Sequence, residues 1–309
     1  MMKALITAVA ISGAFGAAVL PAAQAQPPAL APVVAEQAAE LTAAQQKSAV
    51  LRLLAAYSSN DPAAFNTINP RRFVQHHPEI ADGVTGLKAW LAAIPAGKIS
   101  VTPVRVLSDG PYVMVHSLTK LPDGDHAAWD VFRFENRQIV EQWHAQQRDT
   151  PPNGAGHTQF DGATAIEDRH LTQQNKARAW TVLTKVFRDG DFALLDEPLW
   201  NARDYVQHSH LVNEDGAAAS REAFRQAFES GAMEYTKVVK ILGEGNFVLS
   251  IGELKLNGQP ASAFNLIRFK EGKVIEHWEI LPLAAPAAGA KNGNGLYNFP
   301  QDSLVPGTF

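Results

Sequence analysis

The sequence predicts an α+β protein built from two successive copies of one unit, each a curved antiparallel sheet folded around helices. Two observations carry this. Within each copy, helical periodicity precedes a run of strand-like segments instead of alternating with them, which segregates helices from sheet. The phrase FVQHHP, Phe73 to Pro78, also returns as YVQHSH, Tyr205 to His210, with its flanking segments in the same order. Phe73 aligns with Tyr205, 132 residues on, and Arg133 with Arg268, 135 residues on, so only three residues are gained between these anchors.

At the N-terminus, Lys3 precedes the apolar run ALITAVAISGAFGAAVL, and Ala23 to Ala25 read A-Q-A. That is the pattern of an export signal over residues 1–25, cleaved before Gln26, which places the mature chain in the periplasm or outside the cell with no stable membrane span. A Pro/Ala-rich lead follows over 26–41. The first copy, 42–147, opens with the helix TAAQQKSAVLRLLAAYSS, presenting Val50, Leu51, Leu54 and Tyr57 on one face. The second copy, 168–282, opens with DRHLTQQNKARAWTVLTKVFRDGD, where Trp180, Leu183, Val186 and Phe187 take that part. Next come the helix-like TGLKAWLAAIP and SREAFRQAFESG, then ISVTPVRVLSDGPYVMVHSLTKL and YTKVVKILGEGNFVLSIGELKL as paired strands. Each copy closes on a hairpin, AWDVFRFENRQIVEQWHAQQ or AFNLIRFKEGKVIEHWEILP, with turn signals at Ser108-Asp109-Gly110, Pro122-Asp123-Gly124 and Glu271-Gly272. Residues 148–167 read as a Pro/Gly-rich linker and 283–309 as an irregular tail.

Composition narrows the partners. The formal charge is -4, or -5 once Lys3 leaves with the signal, so no basic groove for nucleic acid is indicated. The 46% hydrophobic content suffices for packed cores, and the absence of cysteine excludes disulfides. There are ten histidines, but His76, His77 and His144 show no zinc-like spacing, so no metal is expected.

The order Q-H after two helices, then YVMVH, then DxFRFxxxxIVEQW resembles the SnoaL-like polyketide cyclase family of the nuclear transport factor two-like superfamily, in particular its branch of predicted aldol-condensation enzymes. The resemblance covers Thr42 to Gln147 and Asp168 to Pro282. It implies two tandem cone-shaped barrels, each with an apolar cavity, packing sheet to sheet as an intrachain pseudo-dimer. It further implies catalysis without metal or organic cofactor on a carbonyl compound, with His116 and Asp130 at the family's acid–base positions. Where that branch has EHWD this chain has EQWH, ending on His144.

Alternation along strands tests the match. Asp130 shares its face with Phe132 and Phe134, His116 with Tyr112 and Met114, and His144 with Gln142 and Val140. If these faces converge, Asp130 among aromatic rings becomes a base whose pKa desolvation raises, His116 holds an enolate oxygen, and His144 or His76 at the rim returns the proton. Tyr112, Met114, Phe132 and Gln142 would then line the substrate. Of the adjacent pair, one of His76 and His77 points in and the other out. In the second copy Ile251 and Asn265 stand for His116 and Asp130, leaving His208, Asn265, His277 and Glu279 as a different pocket. The expected activity is an aldol-type cyclisation, isomerisation or dehydration; the competing reading is a periplasmic binding protein for a small lipophilic ligand.

Overall fold

A computed structural model describes residues 39–195, 199–201, 203–212, 214–284 and 288–300. The export signal, and all but the last residues of the lead, lie outside the described residues, as does the end of the tail. No helix among those described is long and apolar enough to cross a membrane.

The first half begins with helix α1 (Ala43–Ser59). Thr42 caps it reciprocally with Gln45, and Asn60 closes it in the left-handed conformation, φ 57°. Its buried stripe is Ala49, Val50, Leu53, Leu54 and Tyr57; Leu53 takes the place expected for Leu51, which lies half-buried on the flank. A two-residue strand β1 (Val74–Gln75) leads to helix α2 (Gly83–Ala93), which inserts Leu87 and Leu91. Four longer strands follow: β2 (Ser100–Asp109), β3 (Tyr112–Leu121), β4 (Gly124–Glu135) and β5 (Gln138–Arg148). The second half repeats the order. Helix α3 (Thr172–Thr181) runs on into a π-helical stretch, Val182–Arg188, then come β6 (Val206–Gln207), α4 (Ala217–Glu229), β7 (Met233–Glu244), β8 (Phe247–Leu256), β9 (Gln259–Lys270) and β10 (Lys273–Ile280).

The sheets have the strand orders β1-β5-β4-β3-β2 and β6-β10-β9-β8-β7. The class is α+β, as expected, with one correction to each cone. The short first strand runs parallel to its neighbour, and the two edge strands do not meet, so each is an open mixed sheet rather than a closed antiparallel barrel. The concave face of each closes over its own helices. Val113, Val115, Phe132, Phe134 and Ile139 pack on α1 and α2, while Val248, Ile267, Phe269 and Val274 pack on the second half's helices.

The other faces meet each other. Met114, Trp129, Val131 and Trp143 share one apolar layer with Phe247, Leu249, Phe264, Leu266 and Trp278. Burial on both faces explains why β3 and β8 read as nearly continuous apolar runs rather than alternating ones. Ion pairs at the edges are reciprocal: Lys47 on α1 reaches Glu244 of β7 at 2.6 Å, and Lys176 on α3 reaches Asp109 of β2 at 2.5 Å.

The linker and tail also cross over. Asn153, just after β5, donates through Nδ2 to the carbonyls of Gln207 and Ser209. Asn292, beyond β10, donates to those of His77 and Ile80, and Asn294 to that of Gln75. Asn153 and Asn292 each begin an N-G-x-G stretch, Asn153 to Gly156 and Asn292 to Gly295. Residues 288–300 of the segment expected to be an irregular tail are therefore the counterpart of the linker, and each strap grips the other half's corner.

Candidate active site in the first half

Strand register decides which side chains meet. The two-residue turn Pro122-Asp123 pairs Leu121 with Gly124, and counting back along the hairpin sets Val115 opposite Asp130 and His116 opposite Trp129. His116 therefore does not share a face with Asp130. It lies in the layer between the sheets, stacked on Trp129 with ring centroids 4.8 Å apart and 3.1 Å from Arg105 Nη1. Burial, then the charges of Arg105 and His208, hold its pKa well below the usual value, so it is a neutral ring. Tyr112 and Met114 go with it, on the far side of the sheet from the cavity. The expected His116–Asp130 pair is not formed, because alternation within each strand was satisfied while the register between strands was off by one.

A different partner takes the place. Between Phe134↔Ile139 and Arg133↔Glu141 the pairing of β4 with β5 shifts by one residue, a bulge at Val140. Beyond it His144 stands opposite Asp130, with Nδ1 2.9 Å from Oδ1. The bulge also corrects the expected face: Ile139, not Val140, joins the concave core with Gln142 and His144. Gln142 Nε2 donates to Asp130 Oδ1 at 2.9 Å and reaches the Tyr57 hydroxyl at 3.3 Å, while Gln75 Nε2 donates to Gln142 Oε1. Asp130 is thus hydrogen-bonded rather than bare among rings, and Phe132 packs in the core beneath it. His144 Nε2 lies 3.1 Å from Gln146 Oε1. Burial alone lowers the His144 pKa; the charge of Asp130 and its hydrogen bond overcome this and leave it raised. The Tyr57 hydroxyl, buried and near Asp130, is pushed well above its usual range and stays protonated.

The corner histidines point to opposite faces, as expected, but both are buried, and it is His77 that reaches the pocket. Its ring lies 5.0 Å from that of His144, and burial together with the His144 charge lowers its pKa to about 3. His76, expected at the rim, turns to the opposite face, stacks on Trp143 at 4.5 Å and bonds Glu141 and the Gly295 carbonyl. Tyr57 and Trp90 are the pocket residues that strand parity missed, since they lie outside the strands. The space enclosed beside the dyad is about 20 Å³, room for one water.

In the second half, Asn265 stands opposite Glu279 on the concave face, and the same one-residue bulge recurs at Ile275. His277 bridges Asn265 Oδ1 at 3.1 Å and Gln207 Oε1 at 3.2 Å. Burial, with the charge of His208, lowers the His277 pKa to about 3. Burial pushes Glu279 up to about 7 against the Ser209 hydroxyl that donates to it. His208 is not in this pocket: like His76 it lies on the intersheet face, stacked on Trp278 and bonded to Glu276. An apolar cleft of about 380 Å³ opens in this half, between Leu211, Val212, Phe224, Met233, Leu256 and Leu281.

No family model matches the chain, and no curated protein matches it. Solved structures similar to it include TsrD from Streptomyces laurentii, at 18% identity over 35% of this chain and 91% of that one with a TM-score of 0.30. A candidate ketosteroid isomerase from Kribbella flavida matches at 19% identity over 38% and 83% with a TM-score of 0.32. A candidate SnoaL-like polyketide cyclase from Jannaschia sp. CCS1 matches at 20% identity over 34% and 86% with a TM-score of 0.30. The likeness to these structures is one of fold, and no reaction is taken from it.

Proposed function

We propose that the first half is a cofactor-independent acid–base site for a small enolisable carbonyl compound, in an exported chain whose duplicated halves act as a fused pseudo-dimer. The observation that carries it is the buried 2.9 Å contact between Asp130 and His144 at the floor of the pocket. Asp130 holds the imidazole proton on Nδ1 and leaves Nε2 as the base. Nε2 takes the proton next to the carbonyl, the C–H electron pair becomes the enolate C=C bond while the carbonyl π pair moves onto oxygen, and the protonated Tyr57 hydroxyl donates to that oxygen. Return of the proton from Nε2 to another carbon completes an isomerisation; in an aldol-type step the enolate carbon attacks a second carbonyl and the resulting alkoxide takes the proton back from Nε2. Because the enclosed space holds only a water, a ketone reaches Nε2 only when lining side chains give way.

The second reading is a lipophilic-ligand carrier without turnover, favoured by the 380 Å³ cleft of the second half. Hydrogen–deuterium exchange beside the carbonyl of simple ketones such as cyclohexanone, followed by NMR, separates the two. Catalysed exchange that falls about 10²–10⁴-fold in Asp130→Asn supports the acid–base site. No exchange with any ketone, together with stoichiometric retention of an apolar ligand, replaces it with the carrier.

A further inference from the structure

The strap after β5 brings a second histidine to His208. His157 and His208, with ring centroids 5.1 Å apart, flank the carboxylate of Asp161: His208 Nδ1 is 2.8 Å from Oδ1 and His157 Nδ1 is 3.7 Å from Oδ2. Ligand atoms of the three residues all lie within 4.8 Å of one another. Each imidazole is anchored from behind by another carboxylate. His157 Nε2 is 2.9 Å from Asp215, and His208 Nε2 is 3.0 Å from Glu276, itself held by Arg268. A carboxylate on the far nitrogen, fixing the ring and raising the basicity of the near one, is the outer shell that metal-bound histidines have.

The first half supplies an internal control. There His76 keeps the same Glu141–Arg133 support and the same tryptophan stack, and its Nδ1 is satisfied by the Gly295 carbonyl alone. The strap positions equivalent to His157 and Asp161, 139 residues on, are Leu296 and Pro300. In the second half His208 Nδ1 donates to the Thr158 carbonyl at 2.9 Å and faces Asp161 as well, so a metal ion bound there takes the place of that proton and its binding weakens as pH falls.

We propose that His157, Asp161 and His208 bind a divalent transition-metal ion, zinc foremost, which fastens the strap to the second half. Two imidazole nitrogens and one carboxylate oxygen suit zinc, and the exposed side of Asp161 leaves the fourth position to water. The site is independent of the acid–base reading.

The test uses the full mature chain without a histidine tag, stripped with chelator and titrated with zinc chloride by calorimetry and with cobalt chloride by visible absorption. One equivalent of zinc should bind, cobalt should show tetrahedral bands, and zinc should raise the melting temperature reversibly. His157→Leu and Asp161→Asn should each weaken zinc binding at least tenfold, and Asp215→Asn by about tenfold. Circular dichroism in chelator should match the parent for all three variants. Absence of stoichiometric binding, or zinc bound as tightly by His157→Leu and Asp161→Asn as by the parent, overturns the proposal and leaves only adventitious binding to other exposed histidines.

Discussion

The two halves share a scaffold and differ in what they point into it. Asp130 faces His144 across β4 and β5, and Asn265 faces Glu279 across β9 and β10, at matching register positions beyond matching bulges. The first site has a carboxylate hydrogen-bonded to an imidazole and almost no room; the second has a neutral amide and a carboxyl that burial keeps protonated up to about neutral pH, and the apolar cleft of that half is lined by neither of them. Four exchanges at matching positions, Asp130 for Asn265, His144 for Glu279, Gln142 for His277 and His77 for Ser209, change the polar groups offered on an otherwise matching sheet. Charge that is paired tolerates burial, and charge that is not paired is given up.

Breaking the shared scaffold should have the largest effect. Trp143→Ala and Trp278→Ala, each emptying the layer between the sheets, should cost about 3–5 kcal/mol in chemical denaturation, and alike if the halves are equal supports. Next comes the unpaired carboxyl. The folded pKa of Glu279 is raised, so its stabilising contribution is complete below its ordinary pKa near 4.5 and is lost as pH rises through about 7. Glu279→Gln should therefore be more stable than the parent at pH 8, by on the order of 2 kcal/mol, and no more stable at pH 4. For the first half the sign is the same but the consequence for activity is reversed. His144 is raised above 6.5, so the Asp130 pair stabilises fully below that value and less as pH climbs through the raised one, while ketone exchange grows over the same window as Nε2 becomes free. NMR titration of the ring should show this inflection move down in Asp130→Asn. The smallest expected effect on activity is that of His116→Met: the ring lies on the intersheet face, so ketone exchange should stay within about twofold, while stability falls by about 1–3 kcal/mol because buried Arg105 Nη1 loses its acceptor.

The repeated architecture was legible because helix and strand periods are long and the phrases recur in order. Asp130, Phe132, Gln142 and His144 were legible too, as residues on one face. His116 failed for a reason that the sequence contained: the two-residue turn at Pro122-Asp123 already sets Val115, not His116, against Asp130. The bulge at Val140 carries no comparable mark, since an extra residue in a strand is written in the same apolar letters as its neighbours. Alternation does extend through the corner, with Gln75 and His77 toward the pocket and His76 away from it, so the pair was legible as diverging and only the choice of member was wrong. The straps had a sign, N-G-x-G repeated 139 residues apart, which as an isolated turn motif says nothing about what it grips.

The crossing of those straps has a consequence for synthesis. The backbone that holds His77 beside His144 is itself gripped by Asn292 and Asn294, and Asn292 is synthesised 215 residues after His77. The earlier-made pocket thus takes its finished shape only after the strap beyond β10 has been made, so removing residues 288–300 should be felt in the first half, as faster proteolysis between α1 and α2.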